Sequence, residues 1–376
     1  MYARLLKPSH GRSFYLFGPR GVGKTSWISS QFPDALVFDL LDSDTYRKLL
    51  SDPSRLKESI PPGFKRWIAI DEIQRIPELL NEVHRLIEKE KYKFILTGSS
   101  ARKLRRKGTN LLAGRALTYA MHPLTSRELK NDFSLKKALS FGMLPSVWVQ
   151  GEARKYIQSY IKTYLREEVQ EEGLARNLSS FSRFMEVATF SQGSVLNYSN
   201  VGRDAEIHRK VVEDYFTILE DLLIGIRLPV FNRRTKRKLI KHAKFYYFDV
   251  GIFRELRPKG PLDSDAELDG PSLETLVLQE IRAINDYLDL GFKIHFWKTT
   301  QDQEVDFVLY GERGLIAIEV KRSSRITGDD LKGLRLFRED YPMAKTYLVY
   351  GGTRPQRNGA IEIMPVSDFL KFDWWG

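Results

Sequence analysis

The sequence predicts an α/β protein of three parts: a P-loop nucleotide-binding domain on a parallel sheet, a helical middle with a winged helix, and a C-terminal α/β domain. Three observations predict this organisation. A phosphate-binding motif follows an apolar run near the N-terminus, helical periodicity dominates the middle, and short apolar segments bounded by turn residues recur after residue 260. We set the boundaries at residues 1–125, 126–259 and 260–376, which are ordinary domain lengths.

Composition and charge narrow the function classes. The 376 residues are 42% hydrophobic and 29% charged, as in ordinary globular proteins, and the net charge of +12 favours a polyanionic partner. We expect that partner to be DNA, with an anionic membrane surface as the alternative. The absence of cysteine excludes disulfides and thiol catalysis. No apolar run is long enough for a membrane span or signal peptide, so we expect a cytoplasmic protein.

A phosphate-binding loop follows the first predicted strand. That strand leads into GPRGVGKT, which fits G-x-x-x-x-G-K-[ST] at every position. The glycines let the backbone wrap around a phosphate, Lys24 would reach the β- and γ-phosphates of ATP, and the Thr25 hydroxyl would hold Mg²⁺. The predicted nucleotide-binding residues are Gly18, Pro19, Arg20, Gly21, Val22, Gly23, Lys24, Thr25 and Ser26.

Two further strands of this domain end in polar side chains. The run WIAIDE predicts a strand that places Asp71 beside Mg²⁺ and Glu72 where it can polarise the attacking water. The run KFILTGSS ends in Thr97 and Ser99, and we take Thr97 as the residue that senses the γ-phosphate; an ordinary strand ending is the alternative. Arg115 is the candidate for stabilising charge on the γ-phosphate, either in cis or from a neighbour in a homo-oligomer.

These motifs together resemble a known family. FGPRGVGKTS, WIAIDEIQRIP, FILTGSSARKL and LAGRALTYAMHPLTSREL are similar to the AAA+-type ATPases of bacteria and archaea. Members of this family carry a helical middle and a restriction-endonuclease-like C-terminal module, so the resemblance covers nearly the whole chain. It implies an AAA+-like parallel sheet that uses ATP and Mg²⁺.

The middle part contains a predicted DNA-binding element. Residues 194–203 and 208–223 predict the two helices of a helix-turn-helix, and residues 228–231 and 244–248 can pair as the strands of a wing. The segment between those strands is rich in Lys and Arg, which suits contacts to DNA phosphates. Four acidic residues in the second helix disfavour major-groove readout, so we expect the wing to make the contact.

The C-terminal part contains a hairpin with opposed carboxylates. If residues 311–314 form the turn of EVDFVLYGERGLIAIEVK, Asp306 faces Glu319 and Glu304 faces Lys321 on the same side of the sheet. Opposed carboxylates repel each other unless a cation lies between them, so this register predicts a Mg²⁺ or Mn²⁺ site. A charged surface hairpin is the alternative.

The spacing D-x₁₂-E-x-K resembles that of the PD-(D/E)XK nucleases. By that resemblance Asp306 and Glu319 would bind the metal, Lys321 would activate water, and Glu274 on the preceding helix would be a further metal-binding acid. Val305 stands where the family name has Pro. Two functions remain: an ATPase that processes DNA with an endonuclease module, or an ATP-dependent DNA- or protein-binding switch whose nuclease-like domain is not catalytic.

Overall fold

The computed structural model describes residues 2–100, 112–149, 151–165, 177–233, 237–260 and 264–375. The chain divides into two compact units, of which the smaller comprises Arg4–Pro123 and Asp221–Leu223 and the larger most of the remainder. No helix in the described ranges is long and apolar enough to cross a membrane. The boundaries proposed from sequence at residues 125 and 260 stay predictions.

The smaller unit contains a five-stranded parallel sheet, as the sequence predicts. Its strands are β1 (Ser13–Phe17), β2 (Leu36–Asp39), β3 (Trp67–Asp71), β4 (Lys93–Gly98) and β5 (Ala116–Ala120). Its helices are α1 (Lys24–Gln31), α2 (Ser43–Ser51), α3 (Arg55–Glu58) and α4 (Leu79–Glu90). The strand order is β2-β3-β4-β1-β5, so β4 lies between the strand before the P-loop and the strand that ends in Asp71. All five residues of β1 are buried, as expected for an interior parallel strand.

The first half of the larger unit is mainly helical. Its helices are α5 (Ser126–Leu129), α6 (Leu135–Phe141), α7 (Pro145–Val149), α8 (Ala153–Ser159), α9 (Leu178–Ala188), α10 (Tyr198–Ala205), α11 (Arg209–Asp221) and α12 (Val250–Leu256). A π-helical segment, Tyr160–Leu165, follows α8. Three short strands, β6 (Ser194–Val195), β7 (Gly225–Leu228) and β8 (Lys244–Tyr247), form an antiparallel sheet in the order β6-β8-β7. Helices α10 and α11 overlap the helices predicted at residues 194–203 and 208–223, but residues 194–195 form strand β6 and the first helix begins only at Tyr198.

The second half of the larger unit is built on a six-stranded mixed sheet. Its strands are β9 (Lys293–Lys298), β10 (Glu304–Gly311), β11 (Gly314–Lys321), β12 (Lys345–Tyr350), β13 (Gln356–Asn358) and β14 (Ile361–Pro365), and its helices are α13 (Asp265–Tyr287), α14 (Lys332–Asp340) and α15 (Val366–Phe369). The strand order is β13-β14-β12-β11-β10-β9. An apolar core that includes Trp297, Val308 and Phe337 covers one face of this sheet.

The register predicted for the β10–β11 hairpin is correct. Phe307 lies opposite Ile318 and Gly311 opposite Gly314, which is the register that follows from the four-residue turn. Strand β10 does contain a register shift, between Val305 and Val308. This shift affects the pairing of β10 with β9 on its other edge and not the pairing with β11. The length of the turn was sufficient to predict the register, because it fixes the pairing of every residue along the two strands that it connects.

The predicted pairing of residues 228–231 with residues 244–248 is correct only at its start. Leu228 pairs with Lys244, but the chain then leaves β8, and the backbone of Phe231 donates to that of Phe296 in β9 over 2.7 Å. Phe231 is buried in the core of the C-terminal sheet, beside Tyr341. Burial of this aromatic ring against the larger sheet explains why the segment does not continue as a wing strand.

Helix α13 holds the start of α5 through a buried carboxylate. Oε1 of Glu280 accepts the backbone N–H of Ser126 over 2.5 Å, and the Ser126 hydroxyl donates to the same carboxyl group. Burial raises the pKa of Glu280 to about 8, although the hydrogen bonds from Ser126 favour the charged form. Glu280 therefore carries a proton in the folded protein at neutral pH.

We expect Glu280→Gln to flatten the pH dependence of stability. Because the folded pKa lies above that of the unfolded chain, the contribution of Glu280 is complete in acid and is lost as the pH rises through about 8. The loss can reach about 1.4 kcal/mol per pH unit. Thermal unfolding followed by circular dichroism from pH 6 to 9 should show a smaller decline for Glu280→Gln than for wild type. Glu267→Gln, an exposed control on the same helix, should follow wild type, and identical profiles for all three would contradict the assignment.

Candidate functional site

The predicted phosphate-binding loop has the backbone geometry of an anion cradle. Gly21 and Gly23 adopt φ angles of 77° and 92°, which residues with a Cβ rarely accept. A Cβ on Gly18 would lie 2.3 Å from the backbone oxygen of Met121, so this position also requires glycine. Helix α1 begins at Lys24 directly after the loop, and its N-terminus gives the cradle a partial positive charge.

Asp71 joins the loop to the two neighbouring strands. Thr25 Oγ1 donates to Asp71 Oδ2 over 2.7 Å, and Thr97 Oγ1 donates to Asp71 Oδ1. The Thr97 hydroxyl also accepts the backbone N–H of Glu72 over 3.2 Å. The hydroxyl and carboxylate predicted to hold Mg²⁺ are therefore in contact, and Thr97 fixes the orientation of the carboxylate.

Two polar side chains, one directly after β4 and one in the turn that follows Glu72, hold the same oxygen of the Glu72 carboxylate. Its backbone is left-handed, with φ 58°. Ser99 donates to Glu72 Oε2 from its hydroxyl over 3.0 Å, and Gln74 donates to the same oxygen. Burial raises the pKa of Glu72, but the charges of Lys24 and Arg20 and the hydrogen bond from Gln74 outweigh it and lower that pKa below its ordinary value. Glu72 is therefore an ionised, oriented carboxylate at neutral pH.

The other predicted residues of this site have different partners. Lys24 Nζ donates to the backbone oxygen of Gly18 over 2.7 Å, inside the loop. Arg115 forms an ion pair with Glu88 on α4, so its predicted role at the γ-phosphate stays a prediction. A residue without a sequence signal is Arg4, which donates to the backbone oxygen of Val22 over 2.8 Å and to that of His122, and so braces the loop.

The residues present fit a nucleoside triphosphate and Mg²⁺. Positive-φ glycines, a helix N-terminus and the Lys24 ammonium suit a polyphosphate, and a hydroxyl beside a carboxylate is a donor set that Mg²⁺ accepts. Thr25 and Asp71 would hold the metal and Lys24 the phosphates. When bound, Mg²⁺ would neutralise charge on the phosphate oxygens.

The acids and the lysine predicted to converge on β10 and β11 do lie close together, as the register predicts. Lys321 Nζ lies 2.7 Å from Glu319 Oε1, and the backbone N–H of Asp306 donates to Glu319 Oε2 over 3.3 Å. Asp306 Oδ2 accepts the backbone N–H of Val320 over 2.9 Å. Burial and the nearby Asp306 raise the pKa of Glu319 well above its ordinary value, despite the opposing effect of Lys321.

A residue that the sequence interpretation missed lies at the centre of these acids. Lys244, on β8, places Nζ 2.7 Å from Glu304 Oε1, 2.8 Å from Asp306 Oδ1 and 3.3 Å from Glu274 Oε2. Tyr246, two residues further along β8, donates to Glu274 Oε2 over 2.9 Å. Burial disfavours a charge on Lys244, but Asp306 and the other nearby groups raise its pKa well above the ordinary value. The sequence did contain one sign of this residue's importance, because a lysine at the start of an otherwise apolar, aromatic strand needs a buried partner for its charge.

This arrangement does not fit a divalent metal at Asp306. Asp306 Oδ1 is paired with the buried ammonium of Lys244, and Glu319 Oε1 with the ammonium of Lys321. These positive charges would repel a divalent ion, whereas the donors at Asp71 are neutral hydroxyls. Burial, followed by the charge of Asp306, raises the pKa of Glu274 to about 7, so this group also tends to keep a proton. Across the described ranges, no group of three or more His, Asp or Glu side chains is arranged to hold a metal ion.

Three family models match successive parts of the chain. A model described as an AAA domain matches residues 10–130. Two models described as domains of unknown function, DUF8612 and DUF4143, match residues 132–263 and 269–369. The first match agrees with the loop geometry and the five-stranded parallel sheet, and it supports a P-loop ATPase domain of the AAA type, which implies ATP and typically Mg²⁺.

Comparison with individual proteins extends the similarity over most of the chain. Uncharacterized protein Rv2008c of Mycobacterium tuberculosis is 24% identical over 361 residues, covering 93% of this chain and 79% of that protein. Uncharacterized protein MJ1544 of Methanocaldococcus jannaschii is 23% identical over 332 residues, covering 79% of this chain and 72% of that protein. A solved structure of the Aeropyrum pernix ORC1 protein in complex with DNA matches with a TM-score of 0.24 and 13% identity, over 66% of this chain and 86% of that chain. A TM-score of this size does not establish a shared fold.

Proposed function

We propose that this protein is a Mg²⁺-dependent ATP hydrolase that binds DNA through the basic segment of its middle part, and that its nuclease-like domain does not cut DNA. The observation that carries the ATPase half is the linkage of Thr25, Asp71 and Thr97 beside the phosphate-binding loop. The non-catalytic role of the C-terminal domain is supported by the engagement of the Asp306 and Glu319 oxygens within the protein. We place the protein in the cytoplasm, where both ATP and DNA are available to it.

The geometry of Glu72 supports a role as the residue that activates water. An ionised carboxylate can orient a water molecule and accept its proton as the oxygen attacks the γ-phosphate. Ser99 and Gln74 donate to one oxygen of this carboxylate. These hydrogen bonds fix the orientation of the group. Arg115 would stabilise charge on the γ-phosphate after leaving Glu88, in cis or across a homo-oligomer interface.

We expect Lys24→Ala and Glu72→Gln to separate binding from hydrolysis. Lys24→Ala removes the ammonium of the loop and should abolish ATP binding, whereas Glu72→Gln keeps the shape of the side chain and should retain binding. Loss of the general base should lower kcat about 100-fold or more. Fluorescent-nucleotide titration and phosphate release measure the two properties, and full turnover by Glu72→Gln would show that its role is misassigned.

The basic segment between Phe231 and Lys244 supports contact with DNA phosphates. The net charge of +12 favours a polyanion in general, and Lys238 and Lys241 are exposed in this segment. Arg237 is less available because it pairs with Glu339 and Asp340. We therefore assign the phosphate contacts to the two lysines.

We expect Lys238→Ala/Lys241→Ala to weaken DNA binding and its dependence on salt. Each phosphate contact that is lost should reduce the slope of log affinity against log salt concentration by about 1. Fluorescence anisotropy with duplex DNA at several salt concentrations measures this slope. Lys345→Ala/Lys371→Ala removes the same charge from exposed positions elsewhere in the larger unit. An equal effect of both double variants would contradict a localised contact.

A metal-dependent endonuclease is the second candidate function. The convergence of Asp306, Glu319 and Lys321 on one side of the hairpin favours it, because these residue types at this spacing resemble those of PD-(D/E)XK nucleases. DNA cleavage would then require the carboxylates to exchange their present partners for a metal ion.

We expect plasmid and branched DNA to remain intact with the wild-type protein in Mg²⁺ or Mn²⁺. The measurement is gel electrophoresis after incubation, with Asp306→Ala as the matched control. Cleavage by wild type that Asp306→Ala abolishes would establish the endonuclease and overturn the non-catalytic role. Equal cleavage by both proteins would indicate a contaminating nuclease, because Asp306 is required by any mechanism at this site, and the assay would then be repeated on protein freed of it.

A further inference from the structure

We infer that Lys244 is the permanent counter-ion of the acidic cluster, and that this cluster accepts no divalent metal while Lys244 lies in it. The cluster comprises the carboxylates of Glu274, Glu304, Asp306 and Glu319 and the ammonium groups of Lys244, Lys298 and Lys321. Lys244 alone contacts three of the four carboxylates. This inference rests on the proposed non-catalytic role of the C-terminal domain and deepens it, because it names the group that stands in place of a metal ion.

The ammonium of Lys244 lies among the carboxylates that the hairpin register brings to one face of the sheet. Its Nζ is 2.8 Å from Asp306 and 2.7 Å from Glu304, so it supplies a positive charge to two of these carboxylates, while Lys321 supplies one to Glu319. A divalent ion bound to Asp306 would lie next to this ammonium and be repelled by it, in surroundings that screen charge poorly. The two cations therefore exclude each other.

The fold keeps Lys244 in this position. The residue is 1% exposed, and its backbone is fixed in β8 opposite Leu228 on one side and Val195 on the other. Its neighbour Tyr246 reaches the same Glu274 carboxylate, so β8 meets the cluster through two side chains. Withdrawal of the ammonium would leave it buried without a carboxylate partner, which is strongly unfavourable. Release of the site would thus require β8 to separate from the C-terminal sheet.

The first arm of the test measures Mn²⁺ binding to nucleotide-free wild type and to Asp306→Asn, by isothermal titration and by electron paramagnetic resonance of the free ion. We expect no saturable binding at millimolar Mn²⁺ that depends on Asp306. Saturable Mn²⁺ binding by wild type that is lost in Asp306→Asn would overturn the inference, whatever the result for ATP hydrolysis. This arm needs no substitution at Lys244, so it decides the question even if that residue is essential for folding.

The second arm replaces the lysine. Lys244→Met removes the terminal ammonium and keeps an unbranched apolar side chain that is one atom shorter. We expect it to gain one Mn²⁺ per chain, which the double variant Lys244→Met/Asp306→Asn should lose. Lys298→Met is the matched control, because Lys298 contacts Glu304 from the outer side, next to Asp302, and should gain no site. A folded Lys244→Met protein that binds no Mn²⁺ would overturn the claim that the lysine excludes the metal.

Discussion

A buried ion pair between Lys244 and Asp306 connects two sheets of the larger unit. It joins a three-stranded sheet in the middle of the chain to the C-terminal sheet, across 62 residues of sequence. Both side chains are almost completely buried, so neither charge can be left alone. Breaking a buried pair by removing one partner typically costs about 3–5 kcal/mol, which is much of the stability of an ordinary domain. The position of β8 and the chemistry of the nuclease-like site are therefore set by the same contact.

The nucleotide site follows a different arrangement, in which the sheet brings polar side chains together at one edge. Strand β4 lies between β1 and β3, so Thr97 can contact Asp71 while Ser99 contacts Glu72. Short hydrogen-bonding side chains fix both acids before any ligand binds. Such preorganisation favours catalysis, because the groups need not reorient during the reaction. In the C-terminal site the carboxylates are also fixed in orientation, but there their partners include lysine ammonium groups that neutralise their charge.

Local patterns made much of this structure predictable from sequence. The phosphate-binding loop depends on residues that are adjacent in the chain, and the hairpin register depends on the length of one turn, so both could be inferred directly. Lys244 could not be inferred, because its contact with Asp306 depends on how two separate sheets pack. For the same reason the segment ending at Phe231 was expected to complete a wing, whereas burial of its ring draws it to β9. Arg4 carries no motif, and only the folded chain brings it to the loop.

We propose that the ammonium of Lys244 takes the place of a metal ion among the carboxylates of the acidic cluster. The most direct measurement is a crystal structure of the wild-type protein grown in Mn²⁺, with anomalous diffraction data collected near the manganese absorption edge. We predict continuous density for the Lys244 side chain reaching Asp306 and no anomalous peak between Asp306 and Glu319. An anomalous peak there, with Lys244 displaced from the carboxylates, would show that the cluster accepts a metal ion and that the lysine does not exclude it.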